Sequence, residues 1–156
     1  MTRISRYLTM ARIFLVRGGY KRANYLKDKK YFKHIGEHCY LQPWNFGTEP
    51  YLISFGDNVY ITSGVTFVNH DIASFMFQYM DHDAEYQERK GPITIGNNVF
   101  VGANSTILYD VKIGNNVIVG AGSLVNKDIP DGVIVAGVPC KVIGKFDDYQ
   151  KKLLKK

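Results

Sequence analysis

Cysteine and long apolar runs are both scarce in this chain of 156 residues. Its two cysteines, Cys39 and Cys140, lie too far apart for the paired spacing of metal or redox motifs. We therefore expect reduced, mostly structural thiols in a cytoplasmic protein. The chain has no stretch of 18 apolar residues, which predicts that no segment spans a membrane. Arg12 and Arg17 interrupt the apolar stretch near the N-terminus, so a secretory signal is not expected either.

Acidic residues are nearly absent from residues 1–33. This segment holds ten Lys and Arg residues against Asp28 alone, a net charge of +9, whereas the remaining 123 residues carry −3. Apolar residues at helical spacing predict an amphipathic helix that ends near Gly18-Gly19; they are Ile4, Tyr7, Leu8, Ala11, Phe14 and Leu15. Either this helix contacts a membrane peripherally, with its arginines on anionic lipid, or it docks on the rest of the protein with a solvated basic face. Nucleic acid is not an expected partner, because no recognised binding motif accompanies the charge.

An internal repeat of six residues dominates the second half of the chain. Between Ile93 and Val125 an aliphatic residue returns at every sixth position, at Ile95, Val101, Ile107, Ile113, Val119 and Val125. This period fits neither an α-helix nor a simple alternating strand, but it fits a parallel β-helix whose coils have three sides. Each aliphatic residue then points inward, and residues 18 apart stack at roughly 4.8 Å. The pattern predicts an all-β fold of about four coils.

The repeat is interrupted twice upstream. It begins irregularly at Ile35 and Leu41, and it resumes at Phe55, Ile61 and Phe67. It stops again at His70-Asp71, and residues 72–92 cannot fit a coil, which predicts a long and usually functional excursion loop. After the last coil, Asp147 or Asp148 should begin a short C-terminal helix. We thus expect a basic segment over residues 1–33, a β-helix over 34–145 and a basic tail over 146–156.

Three segments resemble the hexapeptide-repeat acyltransferases. They are FGDNVYITSGVTFVNHD, PITIGNNVFVGANSTI and VIVGAGSLVNKDIPDGVIVAGVPCKVI, and the likeness covers residues 35–145. Within that family the chain is similar to galactoside and maltose O-acetyltransferases and to their capsule-polysaccharide relatives. The resemblance implies a left-handed β-helix, a homotrimer, and transfer of acetyl from acetyl-CoA to a sugar or polysaccharide precursor in clefts between subunits. We expect no metal, and because Cys39 and Cys140 lie away from His70 along the coils, we expect direct transfer without a covalent enzyme intermediate. Threefold packing is also favoured physically, because the small flat sides of a short prism bury little alone.

His70 is the expected general base. Histidine is the side chain whose ordinary pKa suits proton removal near neutral pH, and the chain has four, His34, His38, His70 and His82. His70 lies where the coil breaks, and it matches the catalytic His of the family. Counting back 18 residues reaches Leu52, so Glu49 should lie beneath His70, where it would hold Nδ1 or bind acceptor hydroxyls.

Other residues complete the predicted site. Asp71 points away from His70 in an extended chain and should brace the excursion, while Asp81, Asp83 and Glu88 compete with Glu49 as the orienting carboxylate. Trp44, Asn45 and Tyr51 are candidates for sugar binding, although Trp44 could equally serve packing. The resemblance assigns the acetyl-CoA side to Phe100, Ala103, Gly120, Ala121, Asn126, Lys127 and Lys141, with the Ala103 N–H on the thioester oxygen.

We considered three other functions for this sequence. The same fold hosts antibiotic and amino-sugar N-acetyltransferases, which would differ in the acceptor pocket. A γ-type carbonic anhydrase needs three zinc-binding histidines, and the interval from His70 to His82 offers no third partner. A non-catalytic scaffold that binds through its basic arm is disfavoured by His70 together with Lys127 and Lys141.

Overall fold

The computed structural model describes the backbone of residues 3–155 and the side chains of residues 8–155. Four helices are present in this part of the chain, α1 (Arg3–Ile13), α2 (Gly19–Asp28), α3 (Ala73–Met80) and α4 (Phe146–Leu153), together with a 3₁₀ turn at Pro50–Leu52. The strands of the first half are β1 (His34–Ile35), β2 (Tyr40–Leu41), β3 (Ile53–Phe55), β4 (Val59–Ile61), β5 (Thr66–Val68), β6 (His70–Asp71) and β7 (Arg89–Lys90). Those of the second half are β8 (Ile93–Ile95), β9 (Val99–Val101), β10 (Thr106–Leu108), β11 (Val111–Ile113), β12 (Val117–Val119), β13 (Leu124–Val125), β14 (Val133–Ala136) and β15 (Lys141–Lys145).

The strands stack into the three faces of a parallel β-helix. The first face is β1-β3-β8-β11, the second is β2-β4-β9-β12-β14 with β15 at its edge, and the third is β5-β10-β13. In the regular coils the register advances by 18 residues, as in the pair Ile93 and Val111. The first coil is longer, because Tyr40 pairs with Tyr60, and the last is shorter, because Ile118 pairs with Ile134.

The repeated aliphatic residues form the core. Every one of the six positions from Ile95 to Val125 is at most 2% exposed. The long first coil is filled differently, by Phe46, which is fully buried and packs edge-on against Phe32 at 4.9 Å between ring centroids. Phe46 also lies 5.6 Å from Phe67 in the coil above. The irregular segment after Leu41 therefore forms one side of the first coil, and the Phe46 ring anchors it in place of a strand.

The recurrent Gly-Asx-Asn triplets turn the corner between the first and second faces. The side-chain Oδ1 of the Asp or Asn in one triplet accepts a hydrogen bond from the backbone N–H of the matching residue in the preceding coil. The Asn97 N–H, for example, donates to Asn115 Oδ1 at 2.9 Å. The following Asn adopts φ near +55° and stacks its amide on the next, so that Asn58, Asn98 and Asn116 form a ladder with 2.9 Å contacts. The glycine must lack a Cβ, since one at Gly56 would lie 2.8 Å from the Gly96 backbone. These triplets satisfy backbone donors that the turn would otherwise leave without partners.

The N-terminal segment differs from the prediction of a single helix ending near Gly18-Gly19. Helix α1 ends at Ile13, and a second helix, α2, follows from Gly19. In the part of this segment that the structure describes, the helices dock on the rest of the protein, because Ile13, Ala23 and Leu26 are at most 1% exposed within the core. Two other predicted apolar positions, Leu8 and Leu15, remain 56% and 82% exposed. The side chains of Ile4 and Tyr7 lie outside the described residues.

Arg22 fastens these helices to the β-helix. It is 4% exposed, and its Nη1 donates to the carbonyls of Leu41 at 2.9 Å and Gln42 at 2.6 Å. Its Nη2 donates to the Val16 carbonyl at 3.3 Å, and its guanidinium lies 3.8 Å from the centre of the Trp44 ring. A buried cation is thus compensated by carbonyl dipoles and an aromatic face.

The predicted excursion loop contains regular structure. Residues 73–80 form α3, and the stem closes as an antiparallel pair in which His70 faces Lys90 and Asp71 faces Arg89. The prediction of a loop over residues 72–92 did not include this helix. In the single chain, apolar side chains of the excursion are exposed, among them Phe75, Tyr79 and Met80.

The C-terminal region folds back on the last coil. Strand β15 pairs antiparallel with β14, and α4 begins at Phe146, one residue before the predicted start. Asp147 and Asp148 lie in its first turn, where carboxylates favour the helix dipole. Among the described residues no helix is both long enough and apolar enough to cross a membrane.

Candidate active site

His70 lies at the point where the third face ends and the excursion begins. Strand β5 brings the chain to this corner, and the short pair β6–β7 carries His70 outward beside Lys90. The Asn69 carbonyl accepts a hydrogen bond from the Gly91 N–H at 2.9 Å, which closes the stem of the excursion. The His70 side chain is 26% exposed. The imidazole is therefore held by ordered backbone and remains accessible to a small molecule.

Glu49 reaches His70 from the first coil. Its Oε2 lies 2.8 Å from His70 Nδ1, and its side chain is 17% exposed. The separation in sequence is 21 residues rather than the 18 used for the prediction, because the loop around Phe46 lengthens the first coil. A neutral ring that donates from Nδ1 to a carboxylate carries its basic lone pair on Nε2. A ring held in this way is chemically able to accept a proton at Nε2.

Thr48 joins the same contact. Its hydroxyl donates to Glu49 Oε2 at 2.6 Å and lies 3.1 Å from His70 Nδ1. The sequence analysis did not single out Thr48, although its place beside Glu49 was a usable signal. The predicted competitors Asp81, Asp83 and Glu88 are exposed on the excursion instead.

Asp71 braces the base of the excursion, as its alternation with His70 predicts. Its Oδ2 accepts a 2.7 Å hydrogen bond from the Tyr109 hydroxyl, and its Oδ1 accepts one from the Ala73 N–H at 3.1 Å. The hydrogen bond from Tyr109 is the main reason that the pKa of Asp71 lies below its usual value, and the bond from the Ala73 N–H adds to the effect. The Tyr109–Asp71 bond also raises the pKa of Tyr109. Arg89 lies over the Tyr109 ring at 5.3 Å. Tyr109 was missed because its place next to Asp71 depends on the length of the excursion.

The predicted sugar-binding residues differ in what they contact. The Trp44 ring stacks on Phe14 at 5.1 Å between ring centroids, while the Arg22 guanidinium lies over the same ring. Two groups this close occupy opposite faces of the indole, which favours the packing role for Trp44. Trp44 is still 41% exposed, and together with Asn45 it lines a cavity of about 330 Å³. Asn45 Oδ1 accepts from the Gly47 N–H at 3.0 Å and shapes the loop. Tyr51, which is 54% exposed, lies two residues after Glu49 and stays available to an acceptor.

Three of the residues predicted for acetyl-CoA come together. Asn126, Lys127 and Lys141 line a cavity of about 310 Å³, along with Pro139 and Cys140. Strand β13 leads to Asn126 as β5 leads to His70, and the two strands stack on either side of β10. The cavity therefore lies at the same corner as His70, two coils away, or roughly 10 Å.

Ala103, Gly120 and Ala121 lie at a different corner. They precede the strands of the third face, where the Gly122 N–H donates to the Ala103 carbonyl at 2.8 Å. A Cβ at Gly120 would lie 2.9 Å from Ala136 Cβ, so this position is small for packing reasons alone. One coil side, about five residues of roughly 3.3 Å each, separates this corner from His70. A single chain does not bring the Ala103 N–H to the imidazole.

Phe100 lies on the outer surface of the second face. It is 42% exposed and lines a cavity of about 400 Å³ between that face and α4, with Tyr60, Ile118 and Tyr149 among the other residues. The flat aromatic wall predicted at Phe100 is present, but it too is distant from His70 within one chain. It faces the C-terminal helix, which the sequence analysis had not placed.

The cysteines and acidic groups show no second chemical centre. Cys39 is buried, its Sγ donates to the Gly56 carbonyl at 3.3 Å, and burial raises the pKa of its thiol. Cys140 is also a free cysteine. In the part of the chain that the structure describes, no three His, Cys, Asp or Glu side chains cluster as a metal would require.

Fold and site together define a β-helix of hexapeptides with a histidine and carboxylate pair at an interrupted corner. Residues 92–127 match the family described as bacterial transferase hexapeptide, with six repeats. The chain is 52% identical to protein CapG of Staphylococcus aureus over 70% of its own length and 62% of CapG. It is 34% identical to a galactoside O-acetyltransferase of Lactococcus lactis, with 80% of this chain and 68% of the relative covered. A solved galactoside acetyltransferase in complex with coenzyme A superposes with a TM-score of 0.68 at 27% identity, over 99% of this chain and 85% of the other.

The chain belongs to the hexapeptide-repeat transferase family. Family membership supplies the left-handed sense of the β-helix, which the resemblance implied. The chain spans less than two thirds of the length of CapG.

Proposed function

We propose that this protein is an acetyl-CoA-dependent O-acetyltransferase that acts on a sugar or a polysaccharide precursor. The observation that carries the proposal is the 2.8 Å contact between His70 Nδ1 and Glu49 Oε2 at the mouth of the excursion. A ring oriented in this way has its lone pair on Nε2, which suits removal of a proton from a hydroxyl. The relatives named as galactoside O-acetyltransferases support the same reaction and acceptor class.

The chemical step needs one base and no covalent enzyme intermediate. His70 Nε2 takes the proton of the acceptor hydroxyl as its oxygen attacks the carbonyl carbon of the acetyl thioester. The tetrahedral intermediate then breaks the C–S bond, and the leaving thiolate takes the proton back from Nε2. Glu49 keeps the ring in the Nδ1–H tautomer and stabilises the imidazolium that forms between the two steps.

The donor side is proposed to be assembled from two chains. Lys127 and Lys141 line one cavity and provide two cations suited to the phosphates of acetyl-CoA. The Ala103 N–H, which we propose as the oxyanion donor, lies one coil side away from His70 of its own chain. A neighbouring chain in a homotrimer can supply that N–H, together with Gly120, Ala121 and Phe100. Light scattering of the purified protein should give three times the chain mass of 17.7 kDa.

The decisive measurement is CoA release from acetyl-CoA against a panel of sugars, oligosaccharides, amino sugars and chloramphenicol-like alcohols. We expect turnover with a sugar hydroxyl and a fall of roughly 10²- to 10⁴-fold in His70→Ala. His82→Ala is the matched control, because His82 is exposed on the excursion. Preference for an amine would replace the O-acetyl assignment by N-acetylation, and a protein that does not bind CoA would favour the scaffold.

Peripheral membrane contact by residues 1–33 stays a separate prediction. Leu15 is 82% exposed, and Arg12 and Arg17 are exposed near it. Sedimentation with phosphatidylglycerol vesicles, compared with phosphatidylcholine vesicles and with Leu15→Glu, tests this contact. Equal binding to both vesicle types, or none to either, would reject it.

A further inference from the structure

Three polar atoms meet at the inner edge of the imidazole. His70 Nδ1 lies 2.8 Å from Glu49 Oε2 and 3.1 Å from Thr48 Oγ1, and the two oxygens lie 2.6 Å apart. The triangle has two protons to place, one on Nδ1 and one on the Thr48 hydroxyl. If the hydroxyl donates to the carboxylate, its oxygen can also accept from Nδ1–H, so both oxygens share the ring proton. This arrangement satisfies all three contacts with the carboxylate ionised.

We propose that Thr48 is a positioning residue for the His70 and Glu49 pair, an inference that rests on the proposed acetyltransferase function. Its hydroxyl fixes the carboxylate in line with the ring and withdraws part of the negative charge that faces Nδ1. The role is exerted through Glu49 and does not require contact with either substrate.

The chain holds Thr48 in place through its neighbours. Phe46 is fully buried two residues earlier, and Pro50 is buried two residues later. Gly47 has φ +76°, and a Cβ there would lie 2.9 Å from the Phe67 carbonyl oxygen, so the loop presses directly on the strand that leads to His70. The Asn45 side chain caps the Gly47 N–H at 3.0 Å. Thr48 is therefore delivered to the ring by a loop fixed on both sides.

A charge effect follows from this geometry. Without the Thr48 hydroxyl, the negative charge of Glu49 faces the imidazolium unshared, and we expect the acidic limb of kcat/KM to move to higher pH. Charged or titratable groups near His70 on the stem of the excursion and on the next coil are Asp71, Arg89, Lys90 and Tyr109. None of these is altered by a change at Thr48.

The test compares Thr48→Val with Thr48→Ser in the acetyl-CoA assay of the full chain. Val keeps the shape and removes the hydroxyl, whereas Ser keeps the hydroxyl. We expect Thr48→Val to lower kcat roughly tenfold, with the KM for the acceptor unchanged and the acidic limb at higher pH, and Ser to stay near wild type. Equal melting temperatures would show that both variants fold.

Several results would overturn the inference. They are an unchanged kcat and pH profile in Thr48→Val, a loss confined to the acceptor KM, or an equal loss in Ser and Val. The outcome is separable from the proposed function, because that function fails if wild type lacks turnover with a sugar hydroxyl or if His70→Ala retains it. An inactive Thr48→Val with an inactive wild type would refute both.

Discussion

Tyr109 donates a 2.7 Å hydrogen bond to Asp71 and so ties the residue next to His70 to the following coil. The two residues lie 38 positions apart, and most of that interval is the excursion. The contact sets where the excursion leaves the β-helix, and with it the position of the imidazole. Its electrostatic consequences can be tested apart from catalysis.

Tyr109→Phe should lower stability at neutral pH and leave little effect in acid. The Tyr109 bond depresses the pKa of Asp71 in the folded state. A group with a depressed folded pKa contributes stability above its unfolded pKa and loses it as pH falls through the folded value. The difference in melting temperature between wild type and Tyr109→Phe should therefore be largest near pH 6 to 7. It should shrink as the pH falls below 3.8, the ordinary pKa of Asp, and disappear below the lowered pKa of the folded state. A difference that persists unchanged in acid would show that packing, not the Asp71 bond, is responsible.

Glu49→Gln should lower kcat by roughly 10²-fold or more without a matching change in KM, because an amide can no longer stabilise the imidazolium. Steady-state kinetics on the preferred acceptor measure this change. Glu88→Gln is the control, since Glu88 is exposed on the excursion and was one of the three competing candidates. Loss in Glu88→Gln with full activity in Glu49→Gln would reverse the assignment.

Arg22→Lys should destabilise the fold by about 2–3 kcal/mol, because Lys cannot donate along two directions from a planar group. The lost bonds are those to the carbonyls of Leu41, Gln42 and Val16. Urea unfolding gives the free energy of unfolding directly. The exposed Arg17→Lys should leave it unchanged. Equal stability of the two variants would mean that Arg22 does not fasten the N-terminal helices.

Lys127→Ala and Lys141→Ala should each raise the KM for acetyl-CoA roughly tenfold, because each removes a charge-assisted phosphate contact. The effect should shrink at high ionic strength. Lys112→Ala, an exposed lysine on the first face, is the matched control. A KM for acetyl-CoA that stays constant in both variants would remove this cavity from the donor site.

The repeat made the β-helix predictable. An aliphatic residue at every sixth position predicts inward-facing ladders, and the positions from Ile95 to Val125 are buried as expected. His70 was found because the repeat stops there. Glu49 was reached by counting coils, although the count was inexact, since Phe46 takes the place of a strand and lengthens the first coil.

The sequence by itself determined the local pattern: the coils, their triplet corners, the break at His70 and the charge of the N-terminal segment. These features repeat over a few residues, so they can be read without knowing what lies beside them. Only the tertiary structure decided which distant residues meet. The lengths of the first coil and of the excursion place Thr48 and Tyr109 beside the His70 corner, and Phe14 and Arg22 enclose Trp44. One coil side separates Ala103 from His70, and that separation follows from the stacking of strands rather than from any motif.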